Sequence, residues 1–157
     1  MFRLLLILLL FNTWTKAEFI ESQLLNSTVP SFGQSLKLCG PDKLIVGAPL
    51  ATVGNYSQLG TVFVYSKLGG GWQVIQQINY PNATSGVKQF GNSVSCSTDG
   101  TIIAIGCPLD TISSHYYSGS AYIWKLDNKT GLYSFSQRLN ASIVVAYQLF
   151  GYSVAVR

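Results

Sequence analysis

Short runs of β-branched and aromatic residues, broken by glycine, proline and small polar residues, fill most of the chain. They are Gly33 to Leu38, Lys43 to Gly47, Thr61 to Tyr65 and Trp72 to Ile78, then Gly91 to Ser97, Thr101 to Gly106, Ser120 to Trp124 and Tyr133 to Leu139. Val, Ile, Tyr, Phe and Trp suit a pleated, half-buried backbone, and Gly, Pro, Asn, Asp and Ser punctuate it. The pattern predicts two groups of four strands. In the third run of each group Val62 and Val64 match Ala121 and Ile123, while Phe63 and Tyr65 match Tyr122 and Trp124. Each sheet is therefore expected to be buried on both faces, with small or branched residues on one and aromatics on the other. Nothing of useful length has helical periodicity, so the expected class is all-β beyond the N-terminal apolar run.

The two groups are copies of one another. Phe32-Gly33-Gln34-Ser35, Phe90-Gly91-Asn92-Ser93 and Phe150-Gly151-Tyr152-Ser153 recur at offsets of 58 and 60 residues. Gly47-Ala48-Pro49 follows the first marker as Gly106-Cys107-Pro108 follows the second, and Gly60 and Gly119 then open corresponding strands. Self-similarity at a fixed period signals a repeat architecture. The marker Phe offers apolar area to packing between sheets, and its Gly lets another backbone approach. Pro49 and Pro108 cannot donate to a ladder and should end the second strand of each unit.

The N-terminus carries a different pattern. Arg3 precedes the apolar run Leu4 to Phe11, and Thr15-Lys16-Ala17 places small residues around a cleavage position, which reads as a secretory signal peptide over residues 1–17. The run is about half the ~20 residues a spanning helix needs. With Arg3 and Lys16 removed, the formal charge of +4 falls to +2, and the remaining basic residues stand singly. That excludes a nucleic-acid footprint. A secreted chain makes the sequons at Asn26, Asn55, Asn82, Asn128 and Asn140 candidate glycan acceptors. Cys39, Cys96 and Cys107 make an odd count. If Asp99-Gly100 turns a hairpin, Cys96 faces Ile103 and lies too far along the ladder to reach Cys107. Cys39 and Cys96 occupy similar places in successive units and could meet, or all three could be buried thiols.

A four-stranded antiparallel unit that cannot cover both its faces alone, repeated in tandem, is a propeller blade. The chain resembles the FG-GAP repeats of the integrin alpha-subunit β-propeller, and more closely their divergent extracellular relatives. Phe90 to Trp124 fits the pattern FG-x-S-V, DG, A-I-G-x-P and G-x-x-Y-x-W almost continuously, and Phe32 to Tyr65 fits it well. The implied organisation is an outer-strand segment over 18–31, blades over 32–89 and 90–149, and the start of a third blade over 150–157. A ring needs four to eight blades, so the chain is expected to be part of a larger propeller, or to self-associate through its uncovered faces.

Little catalytic chemistry is legible. Calcium-binding members of the family carry an Asp-rich loop, whereas the matching loops here hold one carboxylate each, Asp42 and Asp99, against the six to eight oxygens calcium needs. Both Asp residues are expected to be turn residues. His115 is the only histidine, no Gly-x-Ser-x-Gly elbow is present, and the six carboxylates show no acid/base spacing. Gly69-Gly70-Gly71 precedes a strand and reads as a hairpin turn. The loops Leu50 to Leu59 and Leu109 to Ser118 differ most between units, and their Tyr56, His115, Tyr116 and Tyr117 are the candidate contacts for an extracellular protein or glycan. The expected function is non-catalytic recognition or adhesion outside the cell, with no cofactor. The alternatives are the non-catalytic part of a secreted or cell-surface hydrolase, and a purely structural extracellular repeat.

Overall fold

A computed structural model describes residues 2–10, 18–81 and 86–157. Strands β3 (Ser35–Cys39), β4 (Lys43–Ala48), β5 (Thr61–Leu68) and β6 (Gly71–Asn79) form one antiparallel meander; β7 (Ser93–Cys96), β8 (Ile102–Cys107), β9 (Ser120–Asp127) and β10 (Leu132–Leu139) form a second. Ahead of them β1 (Phe2–Leu10) pairs antiparallel with β2 (Glu18–Ser27). The N-terminal apolar run contributes Leu4 to Leu10 to β1, while the expected cleavage residues Thr15-Lys16-Ala17 lie outside the described residues. No helix occurs among the described residues.

The predicted runs appear as strands with ends moved by a few residues. β4 and β8 stop one residue before Pro49 and Pro108. Gly69 and Gly70, at φ 57° and 89°, make the two-residue turn that sets Leu68 opposite Gly71. Cys96 faces Ile103 as expected, but the turn closes on the Ser97 N–H to Ile102 carbonyl bond, so Asp99-Gly100 is the centre of a four-residue loop.

Alternation divides the first sheet into two apolar faces. Ile45, Val62, Val64 and Ile78 pack with Phe90, Cys96, Ile103, Ile105, Tyr122 and Tyr133 of the second unit. Leu44, Val46, Tyr65 and Trp72 pack on the other side with Leu25 and Phe32. The marker phenylalanines hold comparable places. Phe32 meets Phe63 and Tyr65 edge-on at 5.6 and 6.4 Å, and Phe90 meets Tyr122 at 5.5 Å. At the far edge the Gln76 side chain clasps the Tyr133 backbone, its Nε2 donating to the carbonyl at 2.7 Å and its Oε1 accepting from the N–H at 2.8 Å.

The units are joined by one repeated contact. A Cβ built on Gly47 would overlap the Gly91 carbonyl oxygen, and one on Gly106 would overlap that of Gly151. The same carbonyls accept the hydroxyls of Ser35 at 2.8 Å and Ser93 at 2.9 Å. Phe90 and Phe150 then donate their N–H groups to the Leu59 and Ser118 carbonyls at 3.0 and 2.9 Å. The Ser of one marker and the glycine of its Gly-x-Pro therefore form a socket for the glycine of the next marker.

A disulfide, Cys39–Cys96, also crosses the seam, and Cys107 is a buried free thiol. This settles the cysteine alternatives. Equivalent positions in successive units meet because β3 lies alongside β7.

Candidate functional site

Beyond each Gly-x-Pro the chain leaves its sheet and folds the same way twice. Ala51 and Asp110 occupy corresponding positions, with their N–H groups on the Ala48 and Cys107 carbonyls and their own carbonyls accepting from Gly60 and Gly119. Backbone bridges then close Val53 on Tyr56 and Ile112 on His115. The frames match, but the side chains differ: a buried methyl in the first unit is replaced by a buried carboxylate in the second.

Asp110 is 1% exposed and ringed with donors. Tyr80 Oη and the Thr111 N–H donate to Oδ1, each at 2.8 Å. Ser120 Oγ at 2.8 Å and Tyr122 Oη at 2.7 Å donate to Oδ2. Lys88 Nζ stands 3.6 Å from Oδ1 and Arg138 Nη1 4.0 Å from Oδ2. Burial, first of all, pushes the Tyr80 and Tyr122 hydroxyls well above their ordinary range, and the Asp110 charge pushes the same way. Burial likewise raises the Cys107 thiol, whose Sγ donates to the Lys88 carbonyl at 3.2 Å. A carboxylate offers about four lone-pair positions, and four hydrogen bonds occupy them here. These four donors fill the acceptor positions of Asp110. The carboxylate ties Tyr80 and Lys88 to the base of the 109–118 loop.

No protein-family model matches the chain, and neither does any curated protein.

The loop above Asp110 is ordered by its own hydrogen bonds. Ile112 N–H donates to Ser118 Oγ at 3.2 Å, and His115 Nδ1 lies 2.9 Å from the Ser113 carbonyl. A carbonyl only accepts, so Nδ1 carries the proton in that bond. His115 and Tyr116 are exposed as expected, but Tyr56 and Tyr117 are half-buried. Tyr56 packs against the central core, and Tyr117 sits edge-on to Tyr147 with ring centroids 5.6 Å apart. Loop position alone could not reveal these contacts, because the partners come from other parts of the chain.

The remaining candidates are dispersed. Asp99 accepts from Ser97 Oγ at 2.6 Å, Thr101 N–H at 3.0 Å and Thr101 Oγ1 at 2.8 Å, which pulls its pKa down to about 2. Asp42 pairs with its neighbour Lys43 at 3.4 Å. Both act as turn residues. Among the described residues no three His, Cys, Asp or Glu side chains come together as a metal site. Asn55, Asn128 and Asn140 are exposed, Asn26 lies within β2, and Asn82 falls outside the described residues.

Asp110, Tyr80, Tyr122, Lys88 and Arg138 were not singled out by sequence reasoning. The available signal was a departure between copies: Ala51 against Asp110 and Phe63 against Tyr122, polar groups introduced at two matched core positions.

Proposed function

We propose that this chain is an extracellular, glycosylated segment of an FG-GAP-like β-propeller, each four-stranded sheet being one blade, and that it serves recognition or adhesion without catalysis. The observation that carries the reading is the socket between units. Gly91 seats against Gly47 and Ser35 as Gly151 seats against Gly106 and Ser93, so the geometry that joins the two sheets recurs where the third marker meets the second sheet. A contact that repeats in this way supports a radial array and gives the Phe-Gly-x-Ser and Gly-x-Pro landmarks one physical purpose. The outer face of the second unit, with Leu132 and Leu139 exposed, is then the place for a further blade or another copy of the chain.

Three features support recognition over catalysis. The acceptor positions of Asp110 are filled, His115 Nδ1 bonds backbone carbonyls among the described residues, and Asp99 is committed to its turn. That commitment of Asp99, and of Asp42, also supports independence from calcium. Exposed sequons, a Cys39–Cys96 disulfide and the leader-like N-terminus support passage through an oxidising compartment. The test is expression of the full chain in a eukaryotic host. Release into the medium, with a mass that falls on glycosidase treatment, is expected; intracellular retention at polypeptide mass would overturn the proposal.

A further inference from the structure

The surface around the 111–118 loop is chemically unlike its counterpart in the first unit. Tyr116 and Tyr147 are 67% and 70% exposed, and Tyr117 braces Tyr147 edge-on. Two backbone bonds hold the strip together: the Tyr147 N–H donates to the Tyr116 carbonyl at 2.9 Å and the Leu149 N–H to the Tyr117 carbonyl at 3.0 Å. The first unit has Ser57 and Gln58 where Tyr116 and Tyr117 stand, and a glycan acceptor, Asn55, at its loop tip.

The backbone of this strip is strained where the repeat does not require it. Left-handed residues precede all three marker phenylalanines, at Ser31, Gln89 and Leu149, and Gln58 and Tyr117 also correspond, so these belong to the architecture. Ser114 (φ 68°) and Tyr147 (φ 61°) have no left-handed equivalent, and Ser113 (φ 47°) does without a glycine what Gly54 does in the first unit. Non-glycine residues in this region cost energy and persist where the surroundings impose them, often at ligand sites. Here they present tyrosine rings and serine hydroxyls at one exposed strip.

We infer that Tyr116, Tyr147 and the Ser113–His115 tip form a binding site for a neutral saccharide. This rests on the extracellular recognition reading above. A tyrosine ring has an electron-rich face and a polar tip, which suits the C–H face of a pyranose and the hydroxyls at its rim. Between Thr111 and Ser118, and between Asn140 and Ser153, there is no Lys, Arg, Asp or Glu to recognise a charged polymer. With Nδ1 engaged by the Ser113 carbonyl, His115 Nε2 is the ring nitrogen available to hydrogen-bond a sugar hydroxyl, which can both donate and accept.

The experiment titrates the secreted full chain with neutral trisaccharides ending in N-acetylglucosamine, galactose or mannose, and with a sialylated trisaccharide, following binding by calorimetry and saturation-transfer NMR. At least one neutral sugar should bind, with contacts on tyrosine ring protons, and the sialylated one more weakly. Each of Tyr116→Ala and Tyr147→Ala should weaken it by about three- to tenfold, the loss of one aromatic stack. Tyr116→Phe should keep most of the affinity, and Asn55→Gln all of it. Equal thermal melting of the variants separates this from misfolding. Failure of every neutral sugar to bind, or binding unchanged in the Tyr116→Ala, Tyr147→Ala double variant, would overturn the site. The wider recognition reading would survive that result if the secreted chain still bound cell surfaces, and would fall separately if the chain were not secreted.

Discussion

The carbonyl oxygen of Gly91 occupies the space that a side chain on Gly47 would need. The obstacle is backbone, held by the Ser35 hydroxyl, so it cannot swing away as a flexible side chain would. Gly47→Ala and Gly106→Ala should each cost about 3 kcal/mol, the upper end for overpacking. Gly69→Ala, in a turn with nothing within 4 Å, should cost about 1 kcal/mol through its φ of 57° alone. Urea denaturation would compare them, and equal losses at the three positions would refute the socket.

The Asp110 cluster should be costly to break and cheap to replace. Asp110→Ala leaves Lys88 buried without its counterion, together with two tyrosine hydroxyls that lose their acceptor. Breaking a buried pair from one side costs about 3–5 kcal/mol, whereas apolar replacement of the whole set is often neutral. The triple variant Asp110→Ala, Tyr122→Phe, Lys88→Met, closer to the apolar first unit, should therefore recover much of the loss. A triple variant no more stable than Asp110→Ala would argue against this account.

The cysteines should separate cleanly under labelling. Iodoacetamide should modify no cysteine in the native protein, one (Cys107) after denaturation without reductant, and three after reduction. The Cys39–Cys96 bridge closes a separation of 57 residues, so its removal should cost about 4 kcal/mol by chain entropy. Labelling of Cys107 in the native state would contradict its burial.

Both ends of the pH scale should be felt. Hydrogen bonds from Ser97 and Thr101 depress the Asp99 pKa to about 2, so the stability it contributes is complete above about 4 and lost as pH falls toward 2. Asp99→Asn should flatten that acid limb. Tyr133 is raised to about 12 by burial and donates to the Gly100 carbonyl. The unfolded chain gives up this proton first, near pH 10, so the contribution is present below 10 and lost between 10 and 12. In equilibrium unfolding against pH, Tyr133→Phe should show a shallower alkaline decline, and a slope equal to that of the parent would be inconsistent.

Eight strands, their order within each unit and the equivalence of Phe32 and Phe90 were determined by the sequence itself. Period-two alternation, turn glycines and two prolines are local signals, and local backbone physics is enough to read them. The same signals placed Cys96 opposite Ile103. What lay beyond them was every relation across the seam. Cys39 and Cys96 could be matched by repeat position but not joined, because their meeting depends on β3 lying beside β7. Asp110 looked like an ordinary loop carboxylate, since Tyr80, Lys88 and Arg138 come to it from 30, 22 and 28 residues away. Tyr117 looked exposed until Tyr147 was placed against it. A sequence records what each residue requires of its neighbours along the chain; burial, charge pairing and ring contacts depend on distances that only the packing of sheet on sheet and loop on loop decides.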